Sequence, residues 1–159
     1  LLTPLTHRQI LLGEVLWAAS KGVLGVIGVM VVSSIFGLFN LKLFFILPIV
    51  FTLSLVFAAF GLIIVSIARN YDSFIFSTSG FIIPLSLISG TYFSLKDMPQ
   101  LIQWLAYLFP LSHAVQLVRH IMQNKFEIIT VGTHSLVLVV YAIGLVYLAD
   151  YLFRRKMIS

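Results

Sequence analysis

Four long apolar stretches of the chain, each able to span a membrane and free of charged side chains, decide what it can fold into. They span residues 22–41, 43–68, 73–95 and 128–149, and a charged residue flanks each of them at both ends. A helix needs about 20 apolar residues to cross the hydrocarbon of a bilayer, where every backbone polar group must be paired internally. We therefore predict an all-α fold, a polytopic membrane helical bundle with four transmembrane helices, the last continuing to residue 153.

The composition agrees with a chain that lies almost wholly in a membrane. Hydrophobic residues make up 60% of it and charged residues only 9%, whereas about 25% of the residues of a soluble domain are charged. So few charges cannot give a globule a wetted surface. We therefore treat residues 1–159 as a single membrane domain that contacts lipids, and the lack of cysteine excludes disulfides and thiolate-bound metals.

The basic residues stand at the ends of the apolar stretches, which makes them topology anchors and argues against a nucleic-acid partner. If the stretches cross the membrane in turn, six basic residues fall on one side and four on the other. The positive-inside rule then places both chain ends in the cytoplasm and residues 97–123 outside. The inner group is Arg8, Lys21, Arg69, Arg154, Arg155 and Lys156, and the outer group is Lys42, Lys96, Arg119 and Lys125.

Residues 1–21, before the first apolar stretch, have the pattern of a helix that begins at Thr6. Thr6 and Gln9 have the spacing of a capping box. One straight helix from Thr6 to residue 38 would be about 48 Å long, more than a bilayer core requires. We therefore predict an interfacial cytoplasmic helix that bends into the first span. Glu14, among apolar neighbours, is then either a carboxylate at headgroup level or a functional acid.

Two prolines divide the stretch between the third and fourth spans. One helical segment runs between Pro99 and Pro110, and a second continues to residue 123. The first segment is too short to cross a membrane, so we predict an outer re-entrant helical hairpin over residues 97–123. The second helix carries a polar stripe, which fits either the wet wall of a transport route or a purely structural cap. The stripe consists of Ser112, Gln116, Arg119, His120 and Gln123.

The histidines and acids do not form a pattern typical of catalysis or metal binding. His113 and His120 are two turns apart, about 10 Å, which is too far to share one metal ion. The acids are scattered, so we predict no catalytic, cofactor-binding or metal site. This weakens a second hypothesis, a membrane-embedded transferase acting on lipid-linked substrates. A third, a secondary transporter, would show inverted repeats, and none is visible. The acids are Glu14, Asp72, Asp97, Glu127 and Asp150.

Residues 89–119, SGTYFSLKDMPQLIQWLAYLFPLSHAVQLVR, resemble the outer re-entrant region of type-2 ABC transporter permeases. The shared features are a small-residue pair at 89–90, an aromatic residue at 93, prolines at 99 and 110, a tryptophan at 104, and HAV at 113–115 followed by VR at 118–119. The resemblance covers essentially the whole chain and is closest to the permeases that export nodulation factors. Such permeases have six helices per subunit, so we expect the C-terminal part of one, with spans three to six.

The resemblance implies the membrane permease subunit of an ATP-driven exporter in the bacterial inner membrane. Such a subunit works as a homodimer with a separate ABC ATPase. The chain has no G-x-x-x-x-G-K-[ST] segment, so ATP and Mg²⁺ would bind to that partner and no cofactor to this chain. The implied substrate is a lipo-oligosaccharide or another glycolipid, with drug efflux as the alternative.

Two groups of residues acquire roles from this resemblance. The residues that would contact the ATPase are Thr6, His7, Arg8, Gln9 and Glu14. The residues that would form an outer gate are Pro99, Trp104, Pro110, His113 and Arg119.

Overall fold

The computed structural model describes residues 6–38, 40–68, 70–124 and 127–158, with side chains at all of these positions except 7, 96 and 155–158. Several features of the sequence analysis therefore lie outside the described residues. They are residues 1–5 of the first segment, the side chain of His7, and the basic side chains at 69, 96, 125, 155 and 156.

The all-α fold is confirmed, and no strand occurs in the part of the chain that the structure describes. Helices α1, α2, α3 and α6 are long and apolar enough to cross a membrane, as predicted. The elements are α1 (His7–Ile35), α2 (Leu43–Ile67), α3 (Tyr71–Ile88), a short 3₁₀ turn (Leu95–Asp97), α4 (Gln100–Tyr107), α5 (Pro110–Met122) and α6 (Ile128–Ile158).

The predicted interfacial helix and the first span are parts of one continuous helix. α1 is continuous over 29 residues, a length of about 43 Å. It passes Lys21 and Gly22 without interruption, because no proline lies between residues 7 and 35 to break the backbone hydrogen bonds. The division of α1 into a cytoplasmic part and a membrane part stays a prediction.

Two of the spans end earlier than their uncharged stretches do. α1 ends at Ile35, not near residue 41, and α3 ends at Ile88, not near residue 95. Each is followed closely by a glycine with a positive φ, Gly37 at 70° and Gly90 at 83°. This conformation is typical just after a helix and is accessible to glycine at little cost. α2 matches its predicted range closely, whereas α6 continues past residue 153 to Ile158.

α2 is the centre of the bundle, since α1 and α6 both pack along it while α3 makes fewer contacts. One cluster of buried apolar side chains joins the start of α1 to the end of α2 and the end of α6. A second joins α5 and α6 to the first half of α2. The first cluster is Leu11, Val15, Ala59, Ile63 and Ala149. The second is Ala114, Leu117 and Leu138, with Ile49, Leu53 and Val131 against it.

The contacts between helix ends fix the topology. Arg8 at the start of α1 pairs with Asp150 near the end of α6, and we call this end of the bundle the Arg8 end. Lys42 before α2 donates to the carbonyl oxygen of Met122 at the end of α5, and this is the Lys42 end. α3 finishes at the Lys42 end and α6 starts there. The α4–α5 pair therefore leaves and returns at one end, as a re-entrant hairpin does.

Cysteine labelling of the membrane-inserted protein tests this topology. The chain has no native cysteine, so any labelling comes from the single cysteine that is introduced. Asp97→Cys and Gln123→Cys lie at the Lys42 end and are expected to react with an impermeant thiol reagent from outside the cell. Asp72→Cys, in the first turn of α3, is expected to react only after the membrane is opened. Labelling of positions 72 and 97 from the same side would contradict the four-span arrangement.

Candidate functional site: the re-entrant helix pair

The predicted outer hairpin is a sharply bent pair of helices. α4 and α5 meet at an angle of 97° across a break of two residues. Pro110 is the first residue of α5, and its side chain is buried. Proline suits the first turn of a helix but has no N–H to donate to the helix before it. Pro110 therefore accounts both for the end of α4 and for the start of α5.

Side chains supply the donors for two carbonyl oxygens at the break in the backbone. The Tyr107 carbonyl oxygen accepts a hydrogen bond from His113 Nε2 at 2.9 Å. The next carbonyl, that of Leu108, accepts one from the Tyr141 hydroxyl of α6. Carbonyls at a helix end need such partners, above all where water is scarce. Two side chains thus hold the last turn of α4 in its bent position.

His113 is buried and makes a second contact, which the sequence analysis missed. Its Nδ1 lies 2.7 Å from Nδ1 of His134, which is on α6, 21 residues further along the chain. The Tyr107 ring lies nearly parallel to the His134 ring, with 6.4 Å between centroids. The one signal available in the sequence was a histidine inside an otherwise apolar stretch, where a polar side chain needs a partner.

Arg119 joins α5 to the turn that follows α3. Its guanidinium donates to the carbonyl oxygen of Gly90 and, at 3.4 Å, to that of Phe93. The polar stripe predicted for α5 therefore does not form one wet face. Ser112 at its start is buried, and Arg119 is directed at protein backbone. α5 packs against α6 and α2 through the apolar side chains of Ala114 and Leu117.

The other two gate residues lie on α4. Pro99 is the N-cap of this helix, and the side-chain amide of Gln103 donates to the Met98 carbonyl at 2.7 Å, which fixes the helix start. Trp104 is 79% exposed on the outer side of α4, a position that suits the predicted membrane interface. The structure thus brings Pro110, His113 and Arg119 into packed contacts and leaves Trp104 at the surface.

The residues assigned to ATPase contact lie at the opposite, Arg8 end. Gln9 Oε1 accepts from the Thr6 backbone N–H at 2.8 Å, so the predicted helix start is formed. Arg8 Nε lies 3.5 Å from the Asp150 carboxylate, which Arg154 also contacts at 2.8 Å. Glu14 is exposed on α1. The sequence analysis did not foresee the link from Arg8 to α6, because 142 residues separate the partners.

Comparison with known proteins decides the family. A model of the family described as ABC-2 type transporter matches residues 1–123, which contain α1 to α5 and so the entire re-entrant pair. This chain belongs to the ABC-2 type transporter family. Together with the four apolar helices, this makes it a multi-pass membrane protein, as predicted.

Individual ABC-2 relatives extend the likeness through α6. The chain is 34% identical to Nodulation protein J of Rhizobium leguminosarum bv. trifolii over 99% of its length and 60% of the relative. It is 32% identical to Nodulation protein J of Sinorhizobium fredii over 100% of its length and 61% of that protein. The chain thus spans about three fifths of the length of these relatives. No solved structure matches it.

Metal-binding side chains do not form a cluster in the part of the chain that the structure describes. Among its described residues, no group of three or more histidine, cysteine, aspartate or glutamate side chains could hold a metal ion. The two histidines that do meet, His113 and His134, are bonded to each other. These two histidines and Tyr141 connect the α4–α5 break to α6.

Proposed function

We propose that this chain is part of the permease subunit of an ATP-driven exporter in the bacterial inner membrane. The observation that carries the proposal is likeness to Nodulation protein J over 99–100% of the chain in two relatives. We infer a lipo-oligosaccharide as the substrate, in keeping with the resemblance seen in the sequence. The working unit contains two permeases and two ABC ATPases, and the ATPases bind ATP and Mg²⁺.

The fold supports a mechanical route from one membrane face to the other. α1 is a continuous helix, so a displacement of its first turn moves the whole helix and not only a hinged segment. Its first turn is also linked to α6 through Arg8 and Asp150. α6 in turn holds the break of the re-entrant pair through His134 and Tyr141. ATPase closure at the Arg8 end would thereby bias the position of the re-entrant pair at the Lys42 end.

Transport by the complete permease, assembled with its ATPase in inverted membrane vesicles, tests the function. ATP-dependent uptake of a labelled lipo-oligosaccharide is the expected result, and a catalytically dead ATPase is the control. Uptake of hydrophobic cationic drugs without uptake of the lipo-oligosaccharide would indicate a drug-efflux transporter instead. ATP-independent uptake of either compound would contradict an ATP-driven exporter.

Charge reversal at Arg8 tests whether the start of α1 contacts the ATPase. In the assembled transporter, Arg8→Glu is expected to lower the amount of co-purified ATPase about tenfold, a loss of about 1.4 kcal/mol, while membrane insertion is unchanged. The matched control is Asp150→Asn, which removes the ion pair but keeps the arginine. Equal loss in both variants would assign the effect to the Arg8–Asp150 link, and no loss in either would rule out this contact.

A further inference from the structure

The hydrogen-bond roles of the two paired histidines follow from their neighbours. A carbonyl oxygen can only accept, so His113 Nε2 must carry the proton that it donates to Tyr107. In the neutral ring the other nitrogen, Nδ1, is then an acceptor. His134 Nδ1 must therefore be the donor across the 2.7 Å contact. The pair is complete when both rings are neutral, with one hydrogen between the two Nδ1 atoms.

Counting protons gives the states that the pair can adopt. One additional proton fits on Nε2 of His134, because this leaves the hydrogen between the two Nδ1 atoms in place. A second additional proton has to go to Nδ1 of His113. Two N–H groups would then face each other across 2.7 Å, and two positive charges would lie in adjacent rings. The doubly protonated pair therefore cannot keep its contact.

We propose that the His113–His134 pair is a proton-operated latch on the re-entrant helices. It holds the α4–α5 break against α6 while at most one of the two rings is charged, and it releases the break when both are. The released form takes up one more proton from the solvent than the closed form can hold. Because the Tyr107 carbonyl is bonded to His113, movement of this ring also removes one of the two side-chain bonds that hold the last turn of α4.

The titratable side chains around the pair are few, so protonation of the two histidine rings decides how the latch responds to pH. The 25 residues of α2, which pack against both helices, contain no titratable side chain. On α5, His120 lies within electrostatic range of His134. On α6, Tyr141 is bonded to Leu108, and Glu127 accepts a hydrogen bond from Thr130 near the helix start. α4 contributes the Tyr107 ring, and the titratable residues of α3, Tyr71 and Asp72, lie in its first turn at the Arg8 end.

The separation of α4 from α6 is the direct measure of the latch. Spin labels at Leu101→Cys and Val140→Cys use two exposed positions, and the chain offers no competing cysteine. The labelled full chain is placed in nanodiscs of phosphatidylethanolamine and phosphatidylglycerol, and distances are measured from pH 8 to pH 5. We expect a longer distance to gain population as the pH falls. The ratio of the two forms can change at most tenfold per pH unit where the closed pair already holds one extra proton, and at most a hundredfold where it holds none.

Three variants separate the latch from a general effect of acid. His134→Gln cannot be charged, and its amide can turn either its N–H or its oxygen toward His113 as His113 Nδ1 loses or gains a proton, so the short distance is expected at every pH. His134→Phe removes the donor, so the long distance is expected at every pH. His120→Gln, on α5 with His113, is the matched control and is expected to respond as the unmodified chain does.

The measurement is a distance, so it stands apart from the question of what the protein transports. The proposal is overturned if the unmodified chain gives the same distances at pH 8 and pH 5. It is also overturned if His134→Gln still responds to acid, or if His120→Gln abolishes the response. Should His134→Phe fail to fold, the glutamine variant alone decides between these results.

Discussion

Valine in place of Gly22 is expected to force α1 away from α2 and to destabilise the bundle. A β-carbon at this position would overlap the Ser54 hydroxyl of α2 and lie 3.0 Å from the Ser54 β-carbon. Ser54 sits on the central helix, so the strain cannot be relieved by moving one loose side chain. Overpacking of this kind costs about 1–3 kcal/mol. Because valine adds two methyl groups beyond its β-carbon, we expect a loss of stability near the upper value.

Glycines on the same helix provide the control for this prediction. A β-carbon at Gly25 meets no atom within 4 Å, and the same holds at Gly28. Gly25→Val is therefore expected to change the free energy of unfolding by less than about 0.5 kcal/mol. Unfolding in mixed detergent micelles gives both values. Adding Ser54→Gly to Gly22→Val should restore part of the lost stability, and equal behaviour of the two valine variants would refute close contact at Gly22.

Methionine in place of Arg119 is expected to release the turn after α3 and to impair transport in the assembled protein. Arg119 is the donor to two backbone carbonyls, those of Gly90 and Phe93, and Gly90 is buried. Hydrogen bonds from a charged donor contribute about 1.5–3 kcal/mol, and a buried acceptor without a partner carries a penalty of its own. We expect the free energy of unfolding to fall by about 2 kcal/mol, with transport falling in parallel.

Lys42 provides a comparison for Arg119, since it also donates to a backbone carbonyl at the same end of the bundle. Its bond to Met122 is long, at 3.4 Å, and exposed, so Lys42→Met is expected to cost less than about 0.5 kcal/mol. Arg119→Lys should fall between the two, because lysine keeps a charged donor but its side chain is one bond shorter than the arginine Nη2 from which both hydrogen bonds leave. Loss of transport with unchanged stability in Arg119→Met would instead indicate that this side chain contacts the substrate.

The re-entrant pair shows how much local sequence can predict. Pro99 and Pro110 determine where α4 begins and ends, because proline acts on the backbone hydrogen bonds of its own neighbourhood. The predicted break at Pro110 is therefore confirmed. The side chains that contact the break could not be predicted from the sequence. His134 and Tyr141 lie on α6, more than twenty residues from their partners in the chain, and no local pattern indicates such a pairing.

The glycines of α1 illustrate the same limit. Gly22, Gly25 and Gly28 look alike in sequence, and small residues in a membrane helix generally favour close packing. Only the position of α2 distinguishes them, because among these three it brings a side chain against Gly22 alone. Similarly, Arg8 has the charge expected of a residue at a membrane surface, but its pairing with Asp150 depends on α1 and α6 ending side by side.

Sequence by itself determined the four membrane helices and the bent pair between the third and fourth, and the likeness to a permease family gave the class of transporter. The membrane helices depend on how well a continuous apolar segment dissolves in lipid, and the bent pair depends on the backbone hydrogen bond that one proline removes. Both are properties of neighbouring residues. Tertiary structure alone decided which polar side chains serve the break, which glycine lies at a helix contact and which arginine holds the turn after α3. Those contacts depend on distances between helices, and the helices are placed by the packing of their apolar surfaces around α2.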